Sequence, residues 1–275
     1  MARKANLLSS IFFLKERTYL TPNYIRITLE NELIPNYRNT TIGVNNKIFI
    51  APEGCSKVHL PEFDLDTQKW KEQDPSIKPY VRTYTHRGIN LDKNEIYIDF
   101  VAHGAEGPAS NWAINAPIGA ELGVVMGTEN SELYPEAETY FLIGDATAIP
   151  VLSAILESLP KGVTANVLLE VVSEEDKQVW GSKADVTIRW IVNPTPGINS
   201  ELASVAKTLL KKHHGNSKFA YVAAEFSSVK ELRTFIRKDL HWKQDELHAY
   251  SYWKYGKAEN MSEKDRREER SRNIE

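Results

Sequence analysis

Sulfur is scarce in this chain. A single cysteine, Cys55, stands among 275 residues, so no intrachain disulfide can form. That rules out a disulfide-built fold and fits a reducing compartment, with the cytoplasm as the expected location. Long apolar runs are missing too, and no segment reads as a membrane-spanning helix. Leu7, Leu8, Ile11, Phe12, Phe13 and Leu14 make a short apolar patch near the start. Polar residues interrupt it and no small-residue cleavage site follows, so it does not read as a signal peptide. An excess of one charge is also lacking. The 34 basic and 37 acidic side chains leave a formal charge of −3. A general nucleic-acid binder needs a basic surplus, and none is present. Neither a nucleophile–base–acid constellation nor a metal-ligand cluster stands out. His213-His214 reads as a helix-end pair answering the helix dipole, not as a metal site.

What is present is ordinary globular material, 41% hydrophobic and 26% charged, in a length that suits two domains. The first half has the rhythm of β structure. Tyr24 to Glu30 alternates, with Ile25, Ile27 and Leu29 on one face and Arg26 and Thr28 on the other. Lys47 to Ala51, Tyr80 to Arg87, Glu95 to Ala102 and Glu121 to Met126 are further short runs. Many strands with little helix predict a small antiparallel barrel over residues 1–131. The long polar stretch from Pro52 to Pro79 is of a length that is often functional. In the second half, strand and helix patterns alternate: Thr139 to Ile143, then a helix over Thr147 to Leu159, then strands over Ala165 to Val172 and Val186 to Val192. A helix over Ser200 to His213, a strand over Lys218 to Ala224, a helix over Ser227 to Leu240 and a strand over Leu247 to Trp253 complete it. This predicts an α/β domain with a parallel sheet over residues 139–256. A charged tail, 257–275, closes the chain. Its Glu263–Arg267, Lys264–Glu268 and Glu268–Arg272 spacings suit helical ion pairs without an apolar face.

Three segments carry chemistry. In Arg82-Thr83-Tyr84-Thr85-His86-Arg87, strand alternation puts Arg82, Tyr84 and His86 on one face and Thr83, Thr85 and Arg87 on the other. An arginine fork beside a phenol suits a ligand with phosphates and a flat ring. An edge strand with solvated basic residues has the same composition. In His103-Gly104-Ala105-Glu106-Gly107-Pro108-Ala109-Ser110-Asn111-Trp112, two glycines lead into a helix with Pro108 at its start. The unpaired first N–H groups of such a helix favour an anion, with Ser110 as an added donor, although strand-to-helix turns of this kind are common. In Phe141-Leu142-Ile143-Gly144-Asp145-Ala146-Thr147-Ala148-Ile149-Pro150, a buried strand ends at Gly144, where open α/β sheets bind ligands. It lacks the glycine-rich dinucleotide fingerprint.

Taken in order with Ala249-Tyr250-Ser251-Tyr252-Trp253-Lys254-Tyr255-Gly256, these strings resemble the siderophore-interacting protein family, a branch of the ferredoxin reductase-like flavoenzymes. The resemblance runs from Ser9 to Gly256. It implies a flavin-binding barrel followed by a nicotinamide-binding domain. Arg82, beside Thr83, would hold an FAD phosphate, Tyr84 would pack beside the isoalloxazine, and Thr85 would sit near its reactive edge. His103, Gly107, Ala109, Ser110 and Trp112 belong to the turn that would hold the pyrophosphate and the adenine side. Gly144, Asp145, Ala146 and Thr147 would meet the nicotinamide nucleotide, with no carboxylate at Ala146. The implied substrate is a ferric siderophore, drawn to an open cationic cleft. Lys47, Lys254 and Lys257 are the candidates for that cleft, although most lysines are simply solvated.

The implied reaction is FAD-dependent reduction of the chelated iron, with electrons from NADH, NADPH or a ferredoxin. Such chemistry belongs to the cofactor and asks for no protein acid, base or nucleophile. Ser173-Glu174-Glu175-Asp176 follows the second strand of the α/β domain, near the expected adenine ribose. Its carboxylates would repel a 2′-phosphate and so favour NADH. A flavin reductase for another acceptor and a non-enzymatic ferric-siderophore carrier are the alternatives.

Overall fold

The computed structural model describes residues 7–64, 69–102, 104, 107–215 and 217–257. The chain divides into two units, Met1–Glu132 and Leu133–Glu275. Most of the charged tail, from 258 on, lies outside the described residues, as do His103, Ala105 and Glu106.

The first unit is built on strands β1 (Leu7–Thr21), β2 (Tyr24–Glu30), β3 (Asn45–Ile50), β4 (Phe63–Asp64), β5 (Lys69–Trp70), β6 (Tyr80–Thr85), β7 (Gly88–Asn90), β8 (Glu95–Val101) and β9 (Glu121–Gly127), with one helix, α1 (Pro108–Asn115). Seven strands form an antiparallel half-barrel in the order β6-β3-β9-β1-β2-β8-β7. The short pair β4–β5 forms a separate sheet within the long polar stretch between β3 and β6. The fold class follows from period-2 patterning: Ile25, Ile27 and Leu29 are fully buried, and so are Ile96, Ile98 and Phe100 on the neighbouring strand.

β1 is the largest departure from the sequence reading. The apolar patch near the start is half of a 15-residue strand. Its first part pairs with β9 and its second with β2, with a register shift between Leu14 and Glu16. The shift breaks the alternation. Only Phe12 and Leu14 are buried along it, so its period is hard to see in the sequence. β6 is shorter than the reading, ending at Thr85 instead of Arg87, and a new short strand, β7, starts at Gly88.

The second unit holds β10 (Thr139–Asp145), α2 (Ile149–Ser158), β11 (Thr164–Val171), β12 (Asp185–Val192), α3 (Leu202–Lys211), β13 (Lys218–Glu225), α4 (Phe226–Thr234) and β14 (Leu247–Trp253). The five strands are parallel, in the order β12-β11-β10-β13-β14. Phe141 and Ile143 face α3 and α4 in one core layer. Gly144 faces α2 instead. A Cβ there would lie 2.9 Å from Leu152 Cδ1 and 2.6 Å from both Ala148 Cβ and the Ala223 carbonyl oxygen. Two expected helices are broken. The first begins as a 3-10 turn at Ala146–Ala148 before α2, and the last gives way to a π turn at Phe235–Asp239 after α4. His213 and His214 follow the end of α3. The His213 ring packs edge-on against Phe141 at 5.2 Å, and burial lowers its pKa.

Candidate functional site

In the first unit the candidate residues gather around β6. Register pairs Asn46 with Tyr84 and Lys47 with Thr83, so each pair shares a face. Tyr84 lies half-buried against Phe100, ring centroids 4.3 Å apart, and Phe100 meets Trp112 of α1 at 6.2 Å. One aromatic row thus links β6, β8 and α1. Arg82 is half-buried and donates to the carbonyl of Val81. Lys47 Nζ donates to Thr83 Oγ1 at 2.6 Å, while the lysine itself remains exposed. Thr85 is buried at the strand end.

α1 begins with Gly107 as its N-cap and Pro108 in its first turn, and no side chain caps it. Gly104 holds φ +90°, a left-handed conformation that glycine adopts freely. Ser110 Oγ donates to the Gly104 carbonyl at 2.6 Å, which ties Gly104 to the helix. Ala109 and Ala113 are buried in the barrel core. At the other end of α1, Arg17 of β1 donates to the carbonyls of Ala113 and Ala116. A cation on the last carbonyls steadies the helix. Sequence reasoning missed Arg17 because it missed the strand that carries it. It also missed Asp99, a buried carboxylate that accepts two bonds from Arg26, each 2.8 Å.

His86 stands apart. It is fully buried, and neither ring nitrogen has a hydrogen-bond partner among the described residues. Desolvation alone lowers its pKa to about 4, so the ring is neutral.

In the second unit, Asp145 ends β10. Its Oδ1 accepts from the Thr147 N–H at 2.9 Å and from Thr147 Oγ1 at 2.5 Å. Its Oδ2 accepts from the Glu225 N–H at 2.8 Å and from Trp253 Nε1 at 2.7 Å. The second N–H of the turn is therefore met by the chain's own carboxylate. Burial raises the Asp145 pKa against the opposing pull of these bonds. Glu170, at the end of neighbouring β11, is also raised by burial, with the Asp145 charge adding to it. It accepts from Ser200 Oγ at 2.7 Å and Asn193 Nδ2 at 3.2 Å. Of the carboxylates after β11, Glu174 pairs with Lys177 and Asp176 is buried and accepts from Ser173 Oγ. Lys254 follows β14 half-buried, its Nζ 4.4 Å from the centre of the Phe226 ring. Lys257 is exposed, and its N–H donates to the Lys254 carbonyl at 3.1 Å.

Residues 14–129 match the model of the siderophore-interacting FAD-binding domain, and residues 137–256 match that of siderophore-interacting protein. A ferric vibriobactin reductase of Vibrio cholerae, ViuB, is 31% identical over 91% of each chain. The chain belongs to the siderophore-interacting protein family. The crystal structure of the siderophore-interacting protein SipS from Aeromonas hydrophila superposes with a TM-score of 0.79 at 26% identity, covering 96% of this chain and 98% of the other. A ferredoxin-NADP+ reductase from Plasmodium falciparum shares the fold at 11% identity, with a TM-score of 0.59 over 90% of this chain and 99% of its own. No helix of the described residues is long and apolar enough to cross a membrane, and no group of potential metal ligands gathers among them.

This siderophore-interacting protein therefore carries an FAD-binding first unit, and its residues suit that group. A half-buried guanidinium, a phenol face and a helix start without a side-chain cap supply the chemistry that phosphates and a flat ring require.

Proposed function

We propose that this protein is an FAD-dependent ferric-siderophore reductase that passes electrons from a nicotinamide nucleotide to chelated Fe(III). The arrangement around Tyr84 carries the reading. Its phenol lies in the aromatic row that ends at α1, on the β6 face it shares with Arg82, while Thr83 holds Lys47 on the other face. Bound FAD supplies the link between a two-electron donor and a one-electron acceptor. The chain's own residues do the rest. Arg82 and the α1 N-terminus would neutralise phosphate charge, with Ser110 tying Gly104 to the helix. Tyr84 would pack against the ring system, and Thr85, at the end of the same strand, would complete the flavin side of the site. Lys47 and Lys254 attract the anionic ferric chelate, and Lys257 adds a more exposed charge. Iron enters as substrate inside its chelate and, once reduced, is a poorer match for hard oxygen ligands.

The nicotinamide nucleotide is assigned to the carboxyl ends of β10 and β11, over the Gly144–Thr147 turn. Exposed Glu175 and its neighbour Glu174 are the charges that disfavour a 2′-phosphate, so NADH is the preferred donor. The test is the visible spectrum of the purified protein, followed anaerobically. The expected result is a flavin spectrum that NADH bleaches and a ferric tris-catecholate restores, with ferrous iron captured by a ferrous-specific dye. A colourless protein that binds the ferric chelate would support a carrier instead. Flavin that is bleached by NADH but never reoxidised by ferric chelates would point to another acceptor.

A further inference from the structure

The strongest side-chain cluster outside the flavin unit joins three distant parts of the second unit. Asp145 Oδ2 receives two bonds, from the Glu225 N–H and from Trp253 Nε1. Glu225 in turn accepts from the Tyr255 N–H at 3.2 Å through Oε1 and from the Ser227 N–H at 2.5 Å through Oε2. Asp145 and Glu225 are both buried, with 7% and 6% of their surface exposed. The residue between the two points of attachment, Trp253 and Tyr255, is Lys254. A third surface closes the arrangement: a Cβ on Gly197 would lie 2.8 Å from Trp253 Cη2 and 3.0 Å from Tyr255 Cβ. Below the lysine, the Phe226 ring sits directly after Glu225 in the chain, and Lys254 Nζ rests 4.4 Å from its centre.

We propose that Asp145 and Glu225 are positioning residues, a clasp of two carboxylates that fixes the chain on both sides of Lys254 and thereby aims its ammonium at an anionic substrate. A segment just past the last strand would otherwise fray, and a lysine there would sample many rotamers. Tethering its neighbours and giving its ammonium an aromatic seat removes much of that freedom before substrate arrives. The carboxylate that ends β10 then serves the substrate side of the molecule through Trp253. The proposal rests on the reading of Lys254 as a substrate-binding cation.

The experiment separates the two claims. The flavin is reduced with dithionite, so no nucleotide is involved, and its reoxidation is followed by stopped flow. Two probes are used, an anionic ferric tris-catecholate and an uncharged ferric trihydroxamate. Wild type is compared with Lys254→Ala, Trp253→Phe, Glu225→Gln and the double variant Trp253→Phe/Lys254→Ala. Hydrogen exchange of residues 253–257 is recorded for each. Loss of one charge-assisted contact raises the half-saturating concentration in Lys254→Ala about tenfold for the anionic probe. Trp253→Phe and Glu225→Gln are expected to speed exchange across the segment. They should also raise the same concentration about threefold or more, with the saturating rate and the uncharged probe unaffected. Because both changes act through one ammonium, the double variant should be no worse than Lys254→Ala. Unchanged exchange in both clasp variants overturns the clasp. Faster exchange with unchanged half-saturation, where Lys254→Ala does shift it, overturns positioning while leaving the lysine's role intact. No shift in Lys254→Ala removes that role and the positioning proposal with it. Equal losses for both probes would mean a merely structural effect and overturn the proposal as well.

Discussion

Arg82 carries a permanent charge into a half-buried position on β6, where removing it takes away a multidentate donor. If that donor holds an FAD phosphate, Arg82→Ala weakens flavin binding by about 1.5–3 kcal/mol. The expected outcome is a folded protein purified with much less flavin, read from its absorbance ratio. Full occupancy would remove Arg82 from the phosphate site. His86 makes a different prediction at the same scale. Its pKa falls from 6.5 to about 4 on folding, for desolvation alone. Between those values the unfolded chain binds a proton that the folded chain refuses, so stability declines as pH drops from 6.5 toward 4. The full window corresponds to about 3 kcal/mol. Urea titrations across this range are expected to show the decline in wild type and a flatter profile in His86→Leu. Parallel profiles would mean that the imidazole is solvated or partnered in solution.

At the scale of elements, the junction of β10 and α2 is the tightest backbone approach near a candidate site. Gly144 has no room for a Cβ, since two of its three close neighbours, the Ala223 carbonyl and Ala148 Cβ, are held by backbone positions. Gly144→Ala must push β13 or the start of α2 away, at a cost of about 1–3 kcal/mol. The measurement is the denaturant midpoint of the second unit, followed by tryptophan fluorescence. A midpoint within error of wild type would show that the strand–helix contact is looser than described. The same displacement would disturb the Asp145 bonds to Thr147 and Glu225, so nucleotide-dependent flavin reduction is expected to slow as well.

At the scale of the molecule, electrostatics should govern substrate capture. Lys47 and Lys254 stand on different units, each half-ordered by a neighbour: the Thr83 hydroxyl for one, the Phe226 ring for the other. Salt screens exposed charges over about 10 Å at 0.1 M. Raising ionic strength is therefore expected to raise the KM for an anionic ferric chelate in wild type. Lys47→Ala and Lys254→Ala should each raise KM at low salt, and the double variant should lose most of the salt slope. Flavin reduction by NADH should remain at the wild-type rate throughout. An unchanged slope in the double variant would return both lysines to the ordinary solvated surface. Comparison of NADH with NADPH tests the charge after β11 in the same way, and a clear preference for NADPH would contradict it.

Local period alone determined a good deal of this protein. The bounds of β2 and β14 and the strand–helix alternation of the second unit are visible in the sequence, because short runs of β-branched and aromatic residues between turn residues mark strands locally. Of the candidate sites, the residue types were legible: an arginine and a tyrosine two apart, a proline at a helix start, a glycine at a strand end. Their partners were not. β1 was unreadable because a register shift breaks its alternation and few of its side chains are buried. The neutrality of His86 depends on burial from all sides, which no local pattern records. The bond from Lys47 to Thr83 depends on the register of two strands 36 residues apart in sequence. The clasp depends on more still: Asp145 meets Glu225 across 80 residues and Trp253 across 108. Those contacts exist only because parallel crossovers bring the carboxyl ends of the adjacent strands β10, β13 and β14 to the same end of the sheet. Tertiary structure decided them, since a hydrogen bond requires its two atoms within about 3 Å, and sequence distance says nothing about that.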